Sequence, residues 1–295
     1  MFKRWFQKHT ERLDGKLVAV SGATGGIGQQ LCRHLVRLGA SLILLDRNKT
    51  RSLALADRLR AEFGDVRITH ITVDMADVFA VKNAAKQLQQ LPIDILIHNA
   101  GAYSIPRYKT AIDVDNVFQI NFVSPYFLTV ELLPLLRKRQ GKVVAVASIA
   151  HRYSKTDPGD PDFSTRKAAS KVYGNAKRHL MLSLYELFKT EKEVSLSVVH
   201  PGITFTNITA HYPKWLFAVI KHPMKIIFMR PAHAALSIVK GVFSECGYLE
   251  WIGPALFDVW GFPKRKRLRG FSLAECHRVA KTAIKTAQRM KEYVK

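Results

Sequence analysis

The chain has 295 residues, enough for one large α/β domain or two small ones, and 47% of them are hydrophobic, as in ordinary globular proteins. Its formal net charge of +23 would attract phosphates, anionic lipids or acidic proteins. The three cysteines are widely spaced, which argues against a disulfide framework or a metal site and indicates reduced thiols. Because neither a secretory signal nor a membrane-spanning apolar run is visible, we expect a cytoplasmic protein, soluble or peripheral to a membrane.

Short β-branched or leucine-rich runs alternate with helix-length segments along the chain. Several of the runs are continuously apolar, as in parallel strands that helices cover on both faces. The predicted strands are Leu17–Ser21, Leu42–Leu45, Ile68–Val73, Ile93–His98, Lys142–Ser148, Ser195–His200 and Tyr248–Ile252. The predicted helices are Gly28–Leu38, Lys49–Phe63, Val78–Gln90, Val114–Lys138 and Thr165–Lys189.

This alternation predicts an α/β fold with a single Rossmann-type doubly wound parallel sheet of about seven strands and helices on both faces. No linker, repeat or low-complexity segment divides the chain, so residues 16–253 are predicted to form one domain. Residues 1–15 would form a basic N-terminal arm, and residues 254–295 a basic helical C-terminal extension.

The first predicted strand runs directly into a glycine-rich loop that enters an amphipathic helix. Glycines let a backbone turn tightly and approach a pyrophosphate, and the helix N-terminus then presents free N–H groups to it. The spacing differs from the common GxGxxG fingerprint, and a purely structural turn is the alternative. Its place after the first strand of a βαβ series favours a dinucleotide site, with the candidate residues Gly22, Thr24, Gly26, Ile27 and Gly28.

The second predicted strand ends on Asp46, which Arg47 follows directly. An acidic residue here accepts hydrogen bonds from the adenosine ribose and repels a 2′-phosphate, so Asp46 favours NAD. Arg47 could instead pair with a 2′-phosphate, which keeps NADP open. The predicted cofactor is therefore NAD(P), with NAD favoured.

Four further motifs follow the glycine loop, each beside or after a predicted strand end. In order they are His98-Asn99-Ala100-Gly101, Ser148, Tyr173-Gly-Asn-Ala-Lys177 and His200-Pro201-Gly202. Tyr and Lys four residues apart are common by chance, whereas five motifs in this order are specific. Between Lys16 and Gly253 the chain resembles the short-chain dehydrogenase/reductase family.

The resemblance implies a role for each matching position. Tyr173 and Lys177 would both act in catalysis and contact the cofactor, and Lys177 would hold the nicotinamide ribose. Asn121 would hold a water molecule in a proton relay. Asp74, Met75, Asn99, Ala100 and Gly101 would shape the adenine side of the pocket. Pro201, Gly202, Thr204 and Thr206 would border the nicotinamide.

The chemistry of these side chains agrees with those roles. Hydride transfer to a carbonyl needs a proton donor, and the ordinary pKa of tyrosine, about 10, is too high for ready proton exchange near neutrality. Lys177 lies one helical turn after Tyr173, and its ammonium, with the positive nicotinamide ring, would favour the phenolate. Ser148, at a strand end, can hydrogen-bond the substrate oxygen. Asn121, Ser148, Tyr173 and Lys177 are thus the candidate catalytic residues.

Tyr173 follows Ser148 by 25 residues, and this long polar insert is similar to that of retinol-dehydrogenase-like and other lipid-alcohol-oxidising members. A hydroxysteroid-dehydrogenase-like member is equally compatible. Ala176 departs from the serine that many relatives carry before the lysine, which weakens any subfamily assignment. The apolar segment Trp215–Met229 suggests a hydrophobic wall of the substrate cleft or ordinary core packing.

The leading hypothesis is an NAD(P)-dependent oxidoreductase that interconverts an alcohol and a carbonyl on a retinoid, steroid or long-chain alcohol. One alternative is a 3-oxoacyl-carrier-protein reductase, whose acidic partner a basic surface would suit, although the long insert counts against it. The other alternative is a non-catalytic membrane- or nucleic-acid-binding protein on the same fold. We expect no specific nucleic-acid partner, and a homo-oligomer remains open.

Both chain ends combine features of a membrane-facing surface. Phe2, Trp5 and Phe6 lie among basic residues near the N-terminus, a mixture that suits a lipid headgroup interface. The C-terminal segment adds Lys281, Lys285, Arg289 and Lys291. Peripheral contact with an anionic membrane is one interpretation, and a solvated basic surface is the other.

Overall fold

A computed structural model describes residues 2–204 and 229–294. An eight-stranded sheet lies at its centre, in the order β3-β2-β1-β4-β5-β6-β7-β8. Strands β1 to β7 are parallel, and β8 pairs antiparallel with β7. The strands are β1 Leu17–Ser21, β2 Ser41–Asp46, β3 Ile68–Thr72, β4 Ile95–His98, β5 Lys142–Val146, β6 Ser195–Val199, β7 Glu250–Leu256 and β8 Trp260–Arg267.

Helices cover both faces of the sheet. Each face has its own apolar core, because strands such as β1 and β5 are buried along their whole length and send alternate side chains to opposite faces. Within the described residues the helices are α1 Phe2–His9, α2 Gly26–Arg37, α3 Lys49–Phe63, α4 Val78–Leu88, α5 Asn116–Phe118, α6 Ser124–Lys138, α7 Ala169–Leu187, α8 Pro231–Phe243 and α9 Leu273–Glu292.

The predicted doubly wound α/β fold is confirmed. The strand order reverses between β1 and β4, so the loops after these strands flank one crevice at the carboxyl edge of the sheet. Ligands bind at such switch points in open α/β sheets. The fold therefore gathers the loops after β1, β4, β5 and β6 at one end.

Three elements differ from the sequence-based prediction. Residues 260–267, expected in a helical extension, form an antiparallel eighth strand at the sheet edge, and helix begins only at Leu273. The predicted helix 114–138 is interrupted by a π-helical turn, Gln119–Val123, between α5 and α6. Helix α7 begins at Ala169, four residues later than predicted, since the end of the insert is a loop.

The N-terminal helix α1 packs onto the protein instead of extending from it. Trp5 and Phe6 are buried; the Trp5 ring stacks on Phe262 of β8 at 5.7 Å, and Phe6 lies 5.3 Å from His34. The prediction that these two aromatic side chains face a lipid interface is therefore wrong, because they complete the core under β8. No helix within residues 2–204 and 229–294 is both long and apolar enough to span a bilayer.

Candidate active site

The glycine loop lies between β1 and α2 and is packed too tightly for side chains at two positions. A Cβ atom on Gly22, whose φ is +66°, would lie 2.8 Å from the Ala100 Cα, and one on Gly28 would lie 2.2 Å from the Gly22 carbonyl oxygen. Gly26 is exposed at the first turn of α2, Ile27 is half-buried, and no side chain caps this helix. The open N–H groups and the bare backbone fit the pyrophosphate of a dinucleotide.

Four hydrogen bonds join this loop and the end of β1 to the residues that follow β4. The Asn99 side-chain amide donates to the carbonyl oxygens of Ser21 and Gly22, at 3.1 and 2.9 Å. In return, the Ser21 hydroxyl accepts from the backbone N–H groups of Asn99 and Ala100, at 3.1 and 3.0 Å. The sequence analysis did not identify Ser21. The only sign of it in the sequence is a polar residue at the end of an otherwise apolar strand.

Asp46 at the end of β2 is turned toward the same loop. Its carboxylate accepts from the Thr24 backbone N–H at 3.2 Å, from the Thr24 hydroxyl at 3.0 Å and from the Ser52 hydroxyl at 3.3 Å. Asp46 is buried, whereas Arg47 is exposed. The two residues predicted to decide between NAD and NADP therefore differ in burial, although they are adjacent in sequence.

The loop after β3 carries Asp74 and Met75, which are predicted to shape the adenine side of the pocket. Asp74 accepts from the Ala76 N–H at 2.9 Å, which shapes a turn. The Met75 carbonyl oxygen accepts from the Ser124 hydroxyl at 2.7 Å and from the Gln119 amide at 3.4 Å. The π-helical turn and the start of α6 thus hold this loop, although neither contact was evident in the sequence.

The candidate catalytic side chains come from three elements at the carboxyl edge of the sheet. Ser148 follows β5, Tyr173 and Lys177 lie in α7, and Asn121 lies in the π-helical turn. The Lys177 Nζ atom lies 5.7 Å from the Tyr173 ring centre. A Cβ atom on Gly101 would lie 2.9 Å from the Asn121 Oδ1 and 3.5 Å from the Lys177 Nζ, so a glycine there preserves the approach to both groups.

Asn121 is held rigidly by the backbone around it. Its side-chain amide donates to the carbonyl oxygens of Ala102 and Val117, at 2.8 and 2.9 Å, and its Oδ1 accepts from the Ala102 N–H at 3.3 Å. The π-helical turn widens the helix at this residue, a distortion that recurs at functional sites.

Burial shifts the pKa values of Tyr173 and Lys177 in the directions that favour their neutral forms. It raises the pKa of Tyr173 to about 12, and a hydrogen bond with Ser148 acts in the opposite direction. Burial lowers the pKa of Lys177 to about 7, and the Lys177 Nζ donates to the Val146 carbonyl oxygen at 2.9 Å. A lysine amine near this pKa can exchange a proton at neutral pH.

The loop after β6 borders the site from the other side. Pro201 is buried, and Gly202 has a φ of +85°, where a Cβ atom would lie 2.9 Å from the Val259 carbonyl oxygen. Thr204 is buried and forms a parallel bridge to Met229. Thr206 and the apolar segment at 215–228 lie outside the described residues.

The long insert between Ser148 and Tyr173 is an ordered wall beside the site. Asp162 accepts from the Lys109 Nζ at 2.8 Å and from the Asp115 N–H at 2.7 Å, which ties the insert to the loop before α5. Phe163 then packs with Val117 and Val172 next to Tyr173. The ring of Tyr103 meets the Tyr173 ring edge-on at 5.5 Å, so the Tyr173 ring packs against aromatic and aliphatic groups.

This geometry agrees with a match to the short chain dehydrogenase family model over residues 16–216. The chain belongs to that family. This dehydrogenase is 29% identical to a mouse polyprenol dehydrogenase over 76% of its length and 70% of the relative. It is 31% identical to the bovine dehydrogenase/reductase SDR family member 13 over 83% and 70% of the two chains. For mouse retinol dehydrogenase 12 the identity is 29%, over 67% and 64%.

Solved structures agree in fold. The RhlG/NADP active-site complex from Pseudomonas aeruginosa is 25% identical to this dehydrogenase, with a TM-score of 0.60 over 79% of this chain and 91% of that one. A short-chain dehydrogenase from Sphingobium yanoikuyae in complex with NADPH is 26% identical, with a TM-score of 0.54 over 66% and 74%. The protein is thus an NAD(P)-dependent oxidoreductase of this family.

Proposed function

We propose that this dehydrogenase interconverts an alcohol and a carbonyl on a hydrophobic substrate, with Tyr173 as its proton-transfer group. The observation that carries the proposal is the convergence of Ser148, Tyr173, Lys177 and Asn121 beside the glycine loop. A pure binding protein would have no use for a buried lysine whose pKa is near 7 next to a half-buried tyrosine.

A bound nicotinamide supplies the exchange of hydride with the substrate carbon. The Tyr173 hydroxyl gives a proton to the substrate oxygen during reduction and takes one during oxidation. The Ser148 hydroxyl holds that oxygen, and its hydrogen bond with Tyr173 brings the two groups to the same point. Since burial opposes the phenolate, the ammonium form of Lys177 is needed to stabilise it.

We infer that Asn121 and Lys177 form a path along which the transferred proton moves between Tyr173 and solvent. Both polar groups lie next to Gly101, whose missing side chain preserves an opening between them. The Asn121 amide is fixed by Ala102 and Val117, which makes it suitable for orienting a water molecule toward Lys177. A proton released by Tyr173 would leave the buried site along these groups.

Two observations support a hydrophobic substrate. Phe163 of the insert packs with Val117 of α5 and Val172 of α7 in a buried apolar cluster beside Tyr173, and the Tyr103 ring meets the Tyr173 ring edge-on. The similar proteins include a polyprenol dehydrogenase and a retinol dehydrogenase, each named for the alcohol that it oxidises. A retinoid, steroid or long-chain alcohol fits these surroundings better than a polar sugar, because apolar walls cannot satisfy many hydroxyl groups.

We also propose NAD as the preferred cofactor. The Asp46 carboxylate lies at the adenosine end and is held there by Thr24 and Ser52. Its charge would repel a 2′-phosphate, at a cost on the order of 1–3 kcal/mol. The exposed Arg47 and Arg51 would work in the opposite direction, so the preference depends on which charge lies closer to the ribose.

The test is a substrate screen that follows the absorbance of the reduced nicotinamide. Retinoids, steroids, polyprenols, aliphatic alcohols and an acyl-carrier thioester would each be offered with NAD(H) and NADP(H). We expect turnover of apolar alcohols or their carbonyls and a higher kcat/KM with NAD(H). Turnover of the thioester alone would refute the proposed substrate class and support a 3-oxoacyl-carrier-protein reductase. A higher kcat/KM with NADP(H) would refute the proposed preference for NAD.

A further inference from the structure

The turn between β7 and β8 presents large apolar side chains to solvent. Phe257 at its tip is 87% exposed, and the preceding Leu256 is 56% exposed. Phe257 and Asp258 have φ values of +51° and +59°, the combination found in type I′ turns, where Gly, Asn and Asp are favoured. Asp258 suits such a turn, whereas a phenylalanine there is strained and has no compensating burial.

The turn is firmly anchored beneath this exposed tip. The Asp258 carboxylate accepts from Arg152 and from Lys266, each at 2.7 Å, and both ion pairs have a buried acidic partner. The Val259 N–H donates to the Leu256 carbonyl oxygen at 2.9 Å. Phe257 is therefore held outward by a fixed backbone, as expected of a side chain that binds something else.

Strand β8, which follows the tip, carries positive charge along the sheet edge. Lys264, Arg265 and Arg267 are exposed on it. Arg265 pairs with Glu250 at 3.6 Å. Burial lowers the pKa of the neighbouring Lys240, and the charges of Arg265 and Lys264 lower it further. Charged residues on an edge strand prevent pairing with other chains, but that role does not account for exposed Leu256 and Phe257.

We propose that the β7–β8 hairpin is a docking site for an anionic lipid bilayer. The Leu256–Phe257 tip enters the headgroup region, while the basic residues of β8 contact anionic headgroups. An exposed apolar tip next to a basic strand has the same two components as amphipathic membrane-binding segments, buried apolar area and charge attraction. The net charge of +23 favours the same partner at long range.

The hairpin also contacts the loop after β6, which is predicted to border the nicotinamide. The Asp258 carbonyl oxygen is 3.0 Å from the His200 ring, and a Cβ atom on Gly202 would lie 2.9 Å from the Val259 carbonyl oxygen. The loop of Pro201 and Gly202 therefore packs directly against the hairpin. Docking would place the substrate cleft at the lipid surface, where an apolar substrate dissolves.

The first experiment is co-sedimentation of the full chain with vesicles, without cofactor or substrate. We expect binding to phosphatidylserine/phosphatidylcholine vesicles at low salt, no binding to phosphatidylcholine alone, and loss of binding at high salt. Phe257→Asn keeps a residue suited to positive φ and removes the apolar group, so it should weaken binding roughly tenfold. Ile284→Asn, at a 63% exposed site on α9, is the matched control and should bind as wild type.

The second experiment separates local contact from overall charge. Lys264→Gln/Arg267→Gln should weaken vesicle binding by about fivefold per residue removed. Lys281→Gln/Lys285→Gln removes the same charge from α9 and should have little effect. No binding to anionic vesicles at low salt would overturn the proposal. So would equal losses in the two charge variants, an unaltered Phe257→Asn, or a self-association that Phe257→Asn abolishes, which would identify a second copy as the occupant.

Because vesicle binding is measured without turnover, this proposal can fail while the proposed oxidoreductase function stands. Conversely, an inactive enzyme that binds vesicles through the hairpin would refute the function alone. Circular dichroism of each variant checks that the sheet is intact. A folded Phe257→Asn protein with wild-type turnover of a water-soluble substrate and weakened vesicle binding is the expected combination.

Discussion

A buried ion pair fastens the last helix to the helix that carries Tyr173 and Lys177. The Arg178 guanidinium on α7 donates two hydrogen bonds of 2.6 Å to the Glu275 carboxylate on α9, with side-chain exposures of 7% and 9%. Thr156 donates to the same carboxylate at 3.0 Å. Glu275→Gln would replace an acceptor by a donor facing the guanidinium and leave the Arg178 charge buried without its counter-ion.

Breaking one partner of a buried pair costs about 3–5 kcal/mol. Arg178 retains weaker contacts with the carbonyl oxygens of His151 and Gly270 and lies 4.3 Å from the Phe271 ring centre, so we expect the lower end, about 3 kcal/mol. Burial raises the pKa of Glu275, but the bonds and charge of Arg178, with Thr156, outweigh it and hold the pKa below its ordinary value. This stabilisation is complete above the unfolded-state pKa and is lost as the pH falls through the folded-state pKa.

Urea unfolding of wild type and Glu275→Gln at neutral and acidic pH measures this contribution. The difference in unfolding free energy should begin to shrink as the pH falls below the ordinary pKa of glutamate, about 4.3, because the unfolded-state carboxyl is then protonated first. It should vanish only below the depressed folded-state pKa, where the wild-type carboxyl is protonated in the folded protein too. Glu62→Gln breaks the exposed pair with Arg33 and should cost no more than about 1 kcal/mol. A loss of less than about 1 kcal/mol in Glu275→Gln at neutral pH would refute the reasoning.

Three other substitutions test the cofactor site. Gly28→Ala places a Cβ atom 2.2 Å from the Gly22 carbonyl oxygen, so NADH binding followed by fluorescence should be lost, and wild-type affinity would contradict the tight loop. Asp46→Ala should lower the ratio of kcat/KM with NAD to kcat/KM with NADP by about tenfold or more. An unchanged ratio would show that Arg47, and not Asp46, decides the choice of cofactor. Lys177→Ala should weaken both cofactor binding and turnover, and an effect on turnover alone would show that it does not hold the ribose.

Much of the sheet could be predicted because its buried strands are continuous apolar runs. Strand β1 matches its predicted bounds, and helix α3 matches at both ends, where Asn48 caps its start and Gly64 follows its last residue. Strand β8 was missed because its sequence, WGFPKRKR, is basic and contains Pro263. Such a composition argues against a central strand and is tolerated only at a sheet edge, a position that the local sequence does not reveal.

The candidate site was predictable as a set of motifs, whereas its contacts were not. The four-residue spacing of Tyr173 and Lys177 already implies one helix face, but the depressed pKa of Lys177 depends on burial among distant segments. The contact between Trp5 and Phe262 joins opposite ends of the chain, so local composition suggested an exposed arm. The π-helical turn around Asn121 likewise has no marker in the sequence.

The most direct test of the central claim compares two tyrosine variants in turnover and NADH binding. Tyr173→Phe removes only the transferable proton, whereas Tyr153→Phe alters a tyrosine that is 58% exposed on the turn after Ser148. General acid–base catalysis contributes about 10²–10⁴-fold, so Tyr173→Phe should lose that much kcat while its Kd for NADH stays within about twofold of wild type. Tyr153→Phe should retain wild-type turnover. Near wild-type turnover in Tyr173→Phe would contradict the assignment of this residue as the proton-transfer group.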